Sequence, residues 1–333
     1  WQEYAFRRAT DANPFPSMMG RVCPAPCQDG CNRNELEDFV GINAVEQFIG
    51  DTAIANGYKF DPAPADTGKR VASIGGGPAG LAGAYQLRRK GHAATIFEAN
   101  DALGGMFRFG IPGYRVPRDA LDSEINRILD MGQIEVKLNS RVGVDITLEQ
   151  LEKDYDAVLW AIGCQSGRGL PVPGWKDTPN CVSGVAFLKA FNEGRMKVTA
   201  EKVVCVGGGD TSIDVVSVAR RLGHITKTGN RDLPETVIHD GYVAHDTAMT
   251  AAAEGAEVTL TSLFTRDKMT AAEHEVHDAL YEGVNVLDGV MPLEVIKNDA
   301  GRAIGLKVAD CKMEDGRPTP VEGTERVLEA DLI

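Results

Sequence analysis

The chain has 333 residues, enough to bury a large core and to form two or three domains. It carries 48 acidic against 35 basic residues, a formal net charge of -13, which excludes the basic surface of a nucleic-acid-binding protein. No run approaches the ~18 apolar residues of a membrane span, and no signal peptide opens the sequence. The seven cysteines lack the even spacing of a disulfide framework, so we predict a reducing, cytoplasmic setting.

The first part of the chain has a mostly helical pattern, interrupted by the turn-rich segment Pro14–Gly30. This segment holds Cys23, Cys27 and Cys31 at C-x3-C-x3-C spacing. Thiolates packed this closely in a cytoplasmic protein indicate a metal site. Zinc usually takes C-x2-C pairs, so the pattern favours iron–sulfur ligation. Asp61–Gly68, with its prolines and small polar residues, is the clearest linker.

A glycine-rich turn follows this linker, between a short apolar strand and a helical pattern. The strand is Val71–Ile74, and Gly75, Gly77 and Gly80 follow at G-x-G-x-x-G spacing. Such glycines permit the sharp bend, the approach of a pyrophosphate and the packing of the helix on the strand. Glu98 closes the next strand, Ala93–Phe97, where an acidic residue is expected to meet a ribose hydroxyl. The motif predicts a dinucleotide site; the alternative is a tight βα turn in an unrelated α/β fold.

The region after Glu98 opens with Asp101–Pro117, a loop rich in glycine and proline. The elements predicted after it are the helices Arg118–Met131 and Leu148–Asp154 and the strands Glu135–Leu138 and Ala157–Ile162. A second linker-like stretch, Gly167–Gly174, separates this region from the C-terminal half of the chain.

A second β-α-β unit begins with the strand Val203–Val206 and a turn containing Gly207, Gly208 and Gly209. The elements predicted after the turn are the helix Ile213–Leu222, the strand Val258–Phe264, the helix Ala271–Glu282 and a meander over Val284–Leu328. The polar segment Gly223–Ala253 interrupts the unit. Two glycine-rich turns in series predict two dinucleotides, although either turn could be a degenerate site.

Hydride transfer between a nicotinamide and a flavin needs no protein acid or base, since the protein stacks the rings and sets the flavin potential. The absence of an obvious catalytic dyad agrees with this chemistry, and we predict no catalytic side chain. No C-x-x-C motif lies in the second unit, which disfavours a dithiol mechanism like that of thioredoxin reductase.

The loop Gly104–Pro117, reading GGMFRFGIPGYRVP, resembles a segment of the glutamate synthase small-subunit family. That family includes the electron-input domains of dihydropyrimidine dehydrogenase, and the resemblance covers nearly the whole chain. It implies an α/β fold with two Rossmann-like domains, for FAD and NAD(P), behind a helical iron–sulfur domain. The residues it implies at the FAD site are Gly75, Gly77, Pro78, Ala79 and Gly80 at the pyrophosphate, Glu98 at the ribose, Gly104, Gly105, Met106 and Arg115 at the flavin, and Val142 near the adenine.

The second turn resembles the family's NAD(P)H-binding turn. The residues implied there are Gly207, Gly208, Gly209, Asp210, Thr211 and Ser212, with Asp210 and Thr211 facing the ligand. Two basic residues usually follow an aromatic residue after the next strand, and this chain has Phe264, Thr265 and Arg266. Because a 2′-phosphate is typically held by arginine clusters, the single positive charge favours NADH.

The cysteine segment resembles the second half of the family's N-terminal domain, which holds two [4Fe-4S] clusters. The resemblance assigns Cys23 and Cys27 to one cluster and Cys31 to the other, with Glu46 as the non-cysteine ligand. The family's four upstream cysteines do not occur before Trp1, and Ala330–Ile333 reads as the start of a strand. We therefore expect a fragment of a longer chain.

The predicted domains are residues 1–66 for the clusters, 67–168 for FAD and 169–330 for NAD(P), with 331–333 starting the return to the FAD domain. The predicted activity is electron transfer between NAD(P)H, FAD and [4Fe-4S] clusters, to or from a partner redox enzyme. The Gly223–Ala253 segment and Ala271–Glu275 resemble the branch linked to dissimilatory sulfite reductase, which implies sulfur metabolism and sulfite reductase as the partner. The alternatives are a glutamate synthase small subunit, a cluster-less diaphorase and a non-enzymatic scaffold flavoprotein; a homodimer is a further expectation.

Overall fold

The computed structural model describes residues 1–37, 40–195, 200–228, 256–314 and 316–333. Most of the polar segment predicted at Gly223–Ala253 lies outside these residues. The chain divides into two compact units, of which the first comprises Trp1–Phe109 and Arg115–Gln165 and the second Gly110–Tyr114 and Ser166–Ile333. Tyr114 joins the second unit because its ring is buried there, 4.1 Å from the guanidinium carbon of Arg221.

Four helices form the N-terminal part of the first unit: α1 (Gln2–Ala9), α2 (Pro16–Val22), α3 (Pro26–Asp29) and α4 (Ile42–Ala55). The segment predicted as turns therefore contains two short helices. Each of them begins with proline at its first position, where the missing N–H costs nothing and the fixed φ favours the helix.

The rest of the first unit is a parallel sheet with helices. Its strands are β1 (Arg70–Ile74), β2 (Ala93–Phe97), β3 (Ile134–Lys137) and β4 (Ala157–Trp160), in the order β3-β2-β1-β4. Its helices are α5 (Pro78–Arg88), α6 (Met106–Phe109), α7 (Arg118–Leu129) and α8 (Leu148–Asp154). All pairings are parallel, so the carboxyl ends of the strands share one edge, where Rossmann-type ligands bind.

The second unit contains a parallel sheet of β5 (Lys202–Val206), β6 (Glu257–Thr261) and β7 (Asn285–Leu287), in that order. Its helices are α9 (Gly184–Asn192), α10 (Asp210–Thr228) and α11 (Glu273–Tyr281). The strand predicted to reach Phe264 ends at Thr261, because the Ser262 hydroxyl accepts the Phe264 N–H at 3.2 Å and turns the chain.

The remaining strands form an antiparallel sheet, as the alternating pattern predicted. They are β8 (Val290–Lys297), β9 (Ala303–Glu314), β10 (Arg317–Pro320) and β11 (Arg326–Glu329), and β8, β10 and β11 each pair with β9. The three final residues, expected to start the return to the FAD domain, lie beside β5, where Leu332 O accepts the Val204 N–H at 3.0 Å.

No described helix combines the length and the hydropathy that crossing a membrane requires.

A buried carboxylate fastens the cysteine-bearing helices to the Rossmann-like sheet of the first unit. Glu124 of α7 is 0% exposed and accepts the backbone N–H groups of Ser17 at 2.8 Å and Met18 at 3.1 Å. These donors lie in the first turn of α2, whose N–H groups have no partner within the helix. Burial nevertheless raises the pKa of Glu124 to about 7, against 4.5 for an ordinary glutamate.

The pH dependence of stability tests this contact. The pKa of Glu124 is higher in the native than in the unfolded state, so the unfolded state loses this proton at a lower pH. The free energy of unfolding therefore falls as the pH rises from about 5 to about 7. Glu124→Gln should abolish this decline, which is worth on the order of 3 kcal/mol. Chemical denaturation at several pH values measures it, with exposed Glu152→Gln as the control. Parallel pH profiles for wild type and Glu124→Gln would contradict the assignment.

Candidate nucleotide and cluster sites

The first glycine turn joins β1 to α5 with no room for side chains. Gly75 has φ of 109°, and a Cβ atom there would lie 2.3 Å from the carbonyl oxygen of Ala161. A Cβ on Gly80 would lie 1.9 Å from the carbonyl oxygen of Gly75. Gly77 precedes Pro78, the first residue of α5, so the unpaired N–H groups of the helix start point to the same edge as the strand ends.

Glu98 lies at the end of β2, beside this turn. One of its carboxylate oxygens accepts the Gly76 N–H at 2.7 Å, and the other accepts the backbone N–H of Asn100 at 2.7 Å. The side chain is 5% exposed. The acid predicted to meet a ribose is therefore fixed against the glycine turn by two backbone donors.

The glycine- and proline-rich loop returns to the same turn. Gly104 donates its N–H to the Gly76 carbonyl at 2.8 Å, and Gly105 has φ of 50°. A Cβ on Gly105 would lie 2.6 Å from Cα of Gly77, so two bare backbones meet here. The loop and the turn therefore approach each other as closely as backbones without side chains allow.

The other residues predicted at the FAD site are more dispersed. Met106 is the first residue of α6, and Arg115 is half-buried where the chain re-enters the first unit. Val142 is partly buried and packs against the apolar cluster that contains Ala72 and Phe97. Among the residues predicted at the FAD site, those that contact the glycine turn are Glu98 and Gly104, through Gly76, and Gly105, through Gly77.

The second glycine turn repeats the arrangement at the end of β5. Gly207 has φ of 153° and donates its N–H to the Thr261 carbonyl at 2.9 Å. Asp210 begins α10, and its carboxylate accepts the Ala272 N–H at 3.2 Å, at the start of α11. Gly209 and Ser212 are half-buried, and Thr211 is exposed.

Thr265 and Arg266 lie beyond the strand end, where a short 3₁₀ turn covers Arg266–Lys268. A hydrogen bond from Thr265 holds the pKa of the Asp267 carboxyl below its usual range. Arg266 donates its backbone N–H to Asp288 at 2.9 Å. The sequence reasoning missed Lys268, a second basic residue on this turn, and Ser262, the first residue after β6.

The three cysteines surround α3 without converging. Cys23 follows α2, Cys27 lies within α3 and is exposed, and Cys31 follows α3. Glu46 of α4 accepts the side-chain N–H of Asn13 at 2.7 Å. Within the described part of the chain, no three His, Cys, Asp or Glu side chains form a group that could hold a metal ion. Cysteine side chains of the kind that bind a cluster are present, but the described residues do not complete a ligand set.

Four cysteines lie outside the loop of Cys23–Cys31: Cys164, Cys181, Cys205 and Cys311. All seven cysteines are free thiols, and Cys205 is on β5. Desolvation raises the pKa of the Cys205 thiol to about 12, so it is protonated at neutral pH.

Two models of known protein families match the chain. The family model described as pyridine nucleotide-disulphide oxidoreductase matches residues 69–333. The model described as dihydropyrimidine dehydrogenase domain II, 4Fe-4S cluster, matches residues 2–58.

Curated relatives align along nearly the whole chain. The beta subunit of NADP(+)-dependent formate dehydrogenase from Moorella thermoacetica is 34% identical over 95% of this chain and 44% of its own length. The glutamate synthase [NADPH] small chain of Mycobacterium tuberculosis is 33% identical over 100% of this chain and 66% of its own length. The beta subunit of NADPH-Fe(3+) oxidoreductase from Geobacter sulfurreducens is 33% identical over 100% and 47%. The chain thus spans about half to two thirds of these relatives.

A solved structure shares the fold. Mycobacterium tuberculosis FprA in complex with NADPH matches with a TM-score of 0.60 and 16% identity, covering 82% of this chain and 70% of that one. The predicted fold class and the predicted cofactor classes, FAD, NAD(P) and 4Fe-4S, are confirmed by the family matches. The chain belongs to the pyridine nucleotide-disulphide oxidoreductase family, and the segment ahead of that match, residues 2–58, matches the 4Fe-4S cluster domain model.

Proposed function

We propose that this chain is the electron-input part of an NAD(P)H:acceptor oxidoreductase, in which FAD binds the first unit and NAD(P)H the second. The observation that carries the proposal is the closure of the loop at Gly104 and Gly105 onto the first glycine turn. This closure makes a cradle with bare backbone on two sides. The second glycine turn also lies at the end of a strand, and this similarity favours the binding of a nucleotide that enters and leaves the protein.

The residues of the first unit bind and orient. The start of α5 directs N–H groups toward a pyrophosphate, and the contact of Gly77 with Gly105 keeps side chains away from it. Glu98, already fixed by Gly76 and Asn100, retains lone pairs that can accept ribose hydroxyls. When bound, FAD accepts a hydride from a nicotinamide and releases its electrons singly.

Pro78, Ala79, Gly80 and Gly104 complete the proposed pyrophosphate and flavin cradle, and Met106, Arg115 and Val142 remain proposals at its flavin and adenine sides. In the second unit Gly207, Gly208, Gly209, Thr211 and Ser212 would bind the nicotinamide nucleotide. Asp210 would orient this turn through its hydrogen bond to the start of α11.

We propose NADH as the preferred coenzyme. The four residues after β6, Ser262–Thr265, carry no charge, and the first basic residue is Arg266. A 2′-phosphate at the strand end would therefore lack the arginine partners that typically bind it.

The cysteine-bearing helices are the reason to propose that electrons pass to a partner redox enzyme. Cys23, Cys27, Cys31 and Glu46 lie on or next to the helices that Glu124 fastens to the FAD unit, and they are the proposed ligands within this part of the protein. A partner is in keeping with the relatives, which are named as subunits or chains. Sulfite reductase, a role in sulfur metabolism and a homodimer remain proposals that rest on the sequence resemblance alone.

Glutamate synthase small chain is the second candidate function, favoured by the 33% identity over the full length of this chain. In that case the partner would be a glutamate-forming subunit. The two candidate functions share the hydride-accepting half and differ only in the acceptor.

The hydride step is tested by anaerobic titration of the FAD-loaded full-length protein with NADH and with NADPH. We expect stoichiometric loss of the flavin absorbance, reached at a lower concentration of NADH than of NADPH. A flavin spectrum that neither coenzyme changes, but that dithionite bleaches, would contradict the proposed oxidoreductase activity. The protein would then be a non-enzymatic scaffold flavoprotein.

The flavin cradle is tested by Gly105→Ala. The added Cβ would meet Cα of Gly77 at 2.6 Å, so the two backbones must separate and FAD binding should weaken by about tenfold. Gly132→Ala is the matched control, because Gly132 also has a positive φ, of 73°, but nothing lies within 4 Å of its Cβ position. The FAD dissociation constant of each variant measures the effect, and equal losses in both would assign it to backbone strain alone.

The cluster ligands are tested by Cys27→Ser in the full-length protein. We expect the iron content to fall by about four atoms per chain, one cluster, with acid-labile sulfide falling in step. Cys311→Ser, on β9, is the control and should retain all its iron. Unchanged iron in Cys27→Ser would favour a diaphorase whose cluster domain is vestigial.

A further inference from the structure

The first unit contains a cavity of about 540 Å³ that the proposed function does not use. One wall is the segment Lys59–Asp66, which leads from α4 towards β1. The other wall is formed at the ends of α5 and α7 by Arg88, Arg127, Asp130 and Met131. The volume is typical of a site for a small organic molecule.

This cavity is separate from the proposed FAD cradle. Pro78 begins α5 at the first glycine turn, whereas Arg88 is the last residue of this 11-residue helix. At the rise of an α-helix, the two ends are about 16 Å apart. The residues predicted at the FAD site are not among those that line the cavity. A molecule bound here would therefore be a further ligand of the first unit.

Arg127 places a buried cation in the wall of the cavity. Its side chain is 7% exposed, and its Nη1 has no hydrogen-bond partner among the residues that the structure describes. The guanidinium carbon lies 4.9 Å from the ring centroid of Phe6 and 5.9 Å from that of Phe60. The two rings stabilise the positive charge but leave Nη1 without an acceptor. Because buried polar groups are nearly always hydrogen-bonded, this N–H group requires a partner.

Glu124 does not fill that role. It precedes Arg127 by three residues on α7, and its charge favours the charged form of Arg127. Its carboxylate oxygens, however, accept the backbone N–H groups of Ser17 and Met18. Burial lowers the pKa of Arg127 in spite of this neighbour, as expected for a cation that is only partly compensated.

Arg88 adds a second buried cation to the same wall. Its side chain is 3% exposed, and its Nη1 donates to the Asp66 carboxylate and to the His92 carbonyl, both at 3.1 Å. Its Nε has no hydrogen-bond partner in the described part of the chain. The ion pair with Asp66 fastens the two walls of the cavity to each other.

The remaining lining residues define the kind of anion that fits. The acids Asp61, Asp66 and Asp130 are exposed residues of the lining, whereas both arginines are buried. The acids disfavour a phosphate dianion by repulsion, and a guanidinium matches the planar geometry of a carboxylate. Apolar wall is supplied by Phe60, Pro62, Pro64 and Met131.

We propose that this cavity binds a small organic carboxylate, which accepts N–H groups of Arg127 while its apolar body lies against Phe60 and Met131. The inference does not depend on the proposed function, because the cavity lies at the far end of α5 from the proposed FAD cradle.

The experiment uses ligand-observed NMR on the full-length, FAD-loaded protein with hexanoate, hexanol and inorganic phosphate. Hexanoate should bind, and hexanol, which has the same chain without the carboxylate, should bind about tenfold more weakly or less. An equal concentration of phosphate should not displace hexanoate. Displacement by phosphate, or equal binding of hexanoate and hexanol, would contradict a carboxylate site.

Arg127→Gln should raise the hexanoate dissociation constant by about tenfold or more, because the charge-assisted hydrogen bonds are lost. Arg89→Gln is the matched control: Arg89 is the neighbour of Arg88, but it is exposed and does not line the cavity. This control should leave the dissociation constant within about twofold of the wild-type value.

FAD content and melting temperature report folding in each variant. Ala63→Trp, in the wall opposite the arginines, fills the cavity without removing either of them and gives the same test if Arg127→Gln does not fold. A wild-type protein that does not bind hexanoate would overturn the proposal. Hexanoate binding that neither Arg127→Gln nor Ala63→Trp weakens would overturn it too, because the anion would then bind elsewhere.

Discussion

The structure depends on the close approach of bare backbone at the end of the first strand. Gly75 and Gly80 leave no space for a Cβ, and Gly105 comes back from a distant loop to meet Gly77. A side chain at Gly75 or Gly80 would collide with a backbone carbonyl oxygen of the chain itself, and one at Gly105 would collide with Cα of Gly77. The strand β1, the start of α5 and the loop that carries Gly105 are therefore fixed relative to one another by contacts that only glycine permits.

A second constraint connects this cradle to the cysteine-bearing helices. Glu124 is a carboxylate with no access to solvent, and it closes the first turn of α2 from the neighbouring helix α7. An acid buried in this way is costly, as its raised pKa shows. Its partners are the N–H groups that lead into the Cys23 loop. The arrangement holds the proposed cluster ligands at a defined place on the first unit, as the proposed electron transfer requires.

The sequence was sufficient where local pattern and tertiary structure agree. β2 and α8 were predicted to the residue, because an apolar run between turn residues and a Thr147 capping box mark their ends. The end of β6 was missed since apolar residues continue past Ser262, whereas the pairing with β5 and β7 ends at Thr261. The role of Glu124 was invisible, because a charged residue on an amphipathic helix looks solvated until its partners from α2 are known.

The family resemblance placed the glycines of both turns, and the structure shows what the two turns share. Gly75 donates its N–H to the Phe97 carbonyl and Gly207 donates its N–H to the Thr261 carbonyl, so each turn is held by the last residue of the neighbouring strand. The resemblance drew attention to Thr265 and Arg266. It did not show that Thr270 and Ala271, a few residues later, donate their N–H groups to the Gly208 carbonyl, because such contacts arise only in the folded chain.

Electrons are proposed to pass from NAD(P)H to the flavin unit and then to the cysteine-bearing domain. The direct measurement mixes anaerobic full-length protein with NADH and records flavin absorbance and the cluster EPR signal in samples frozen at successive times. We predict loss of flavin absorbance first and the EPR signal afterwards, with the second absent when FAD has been removed. An EPR signal that develops at the same rate in FAD-free protein would contradict this order of transfer.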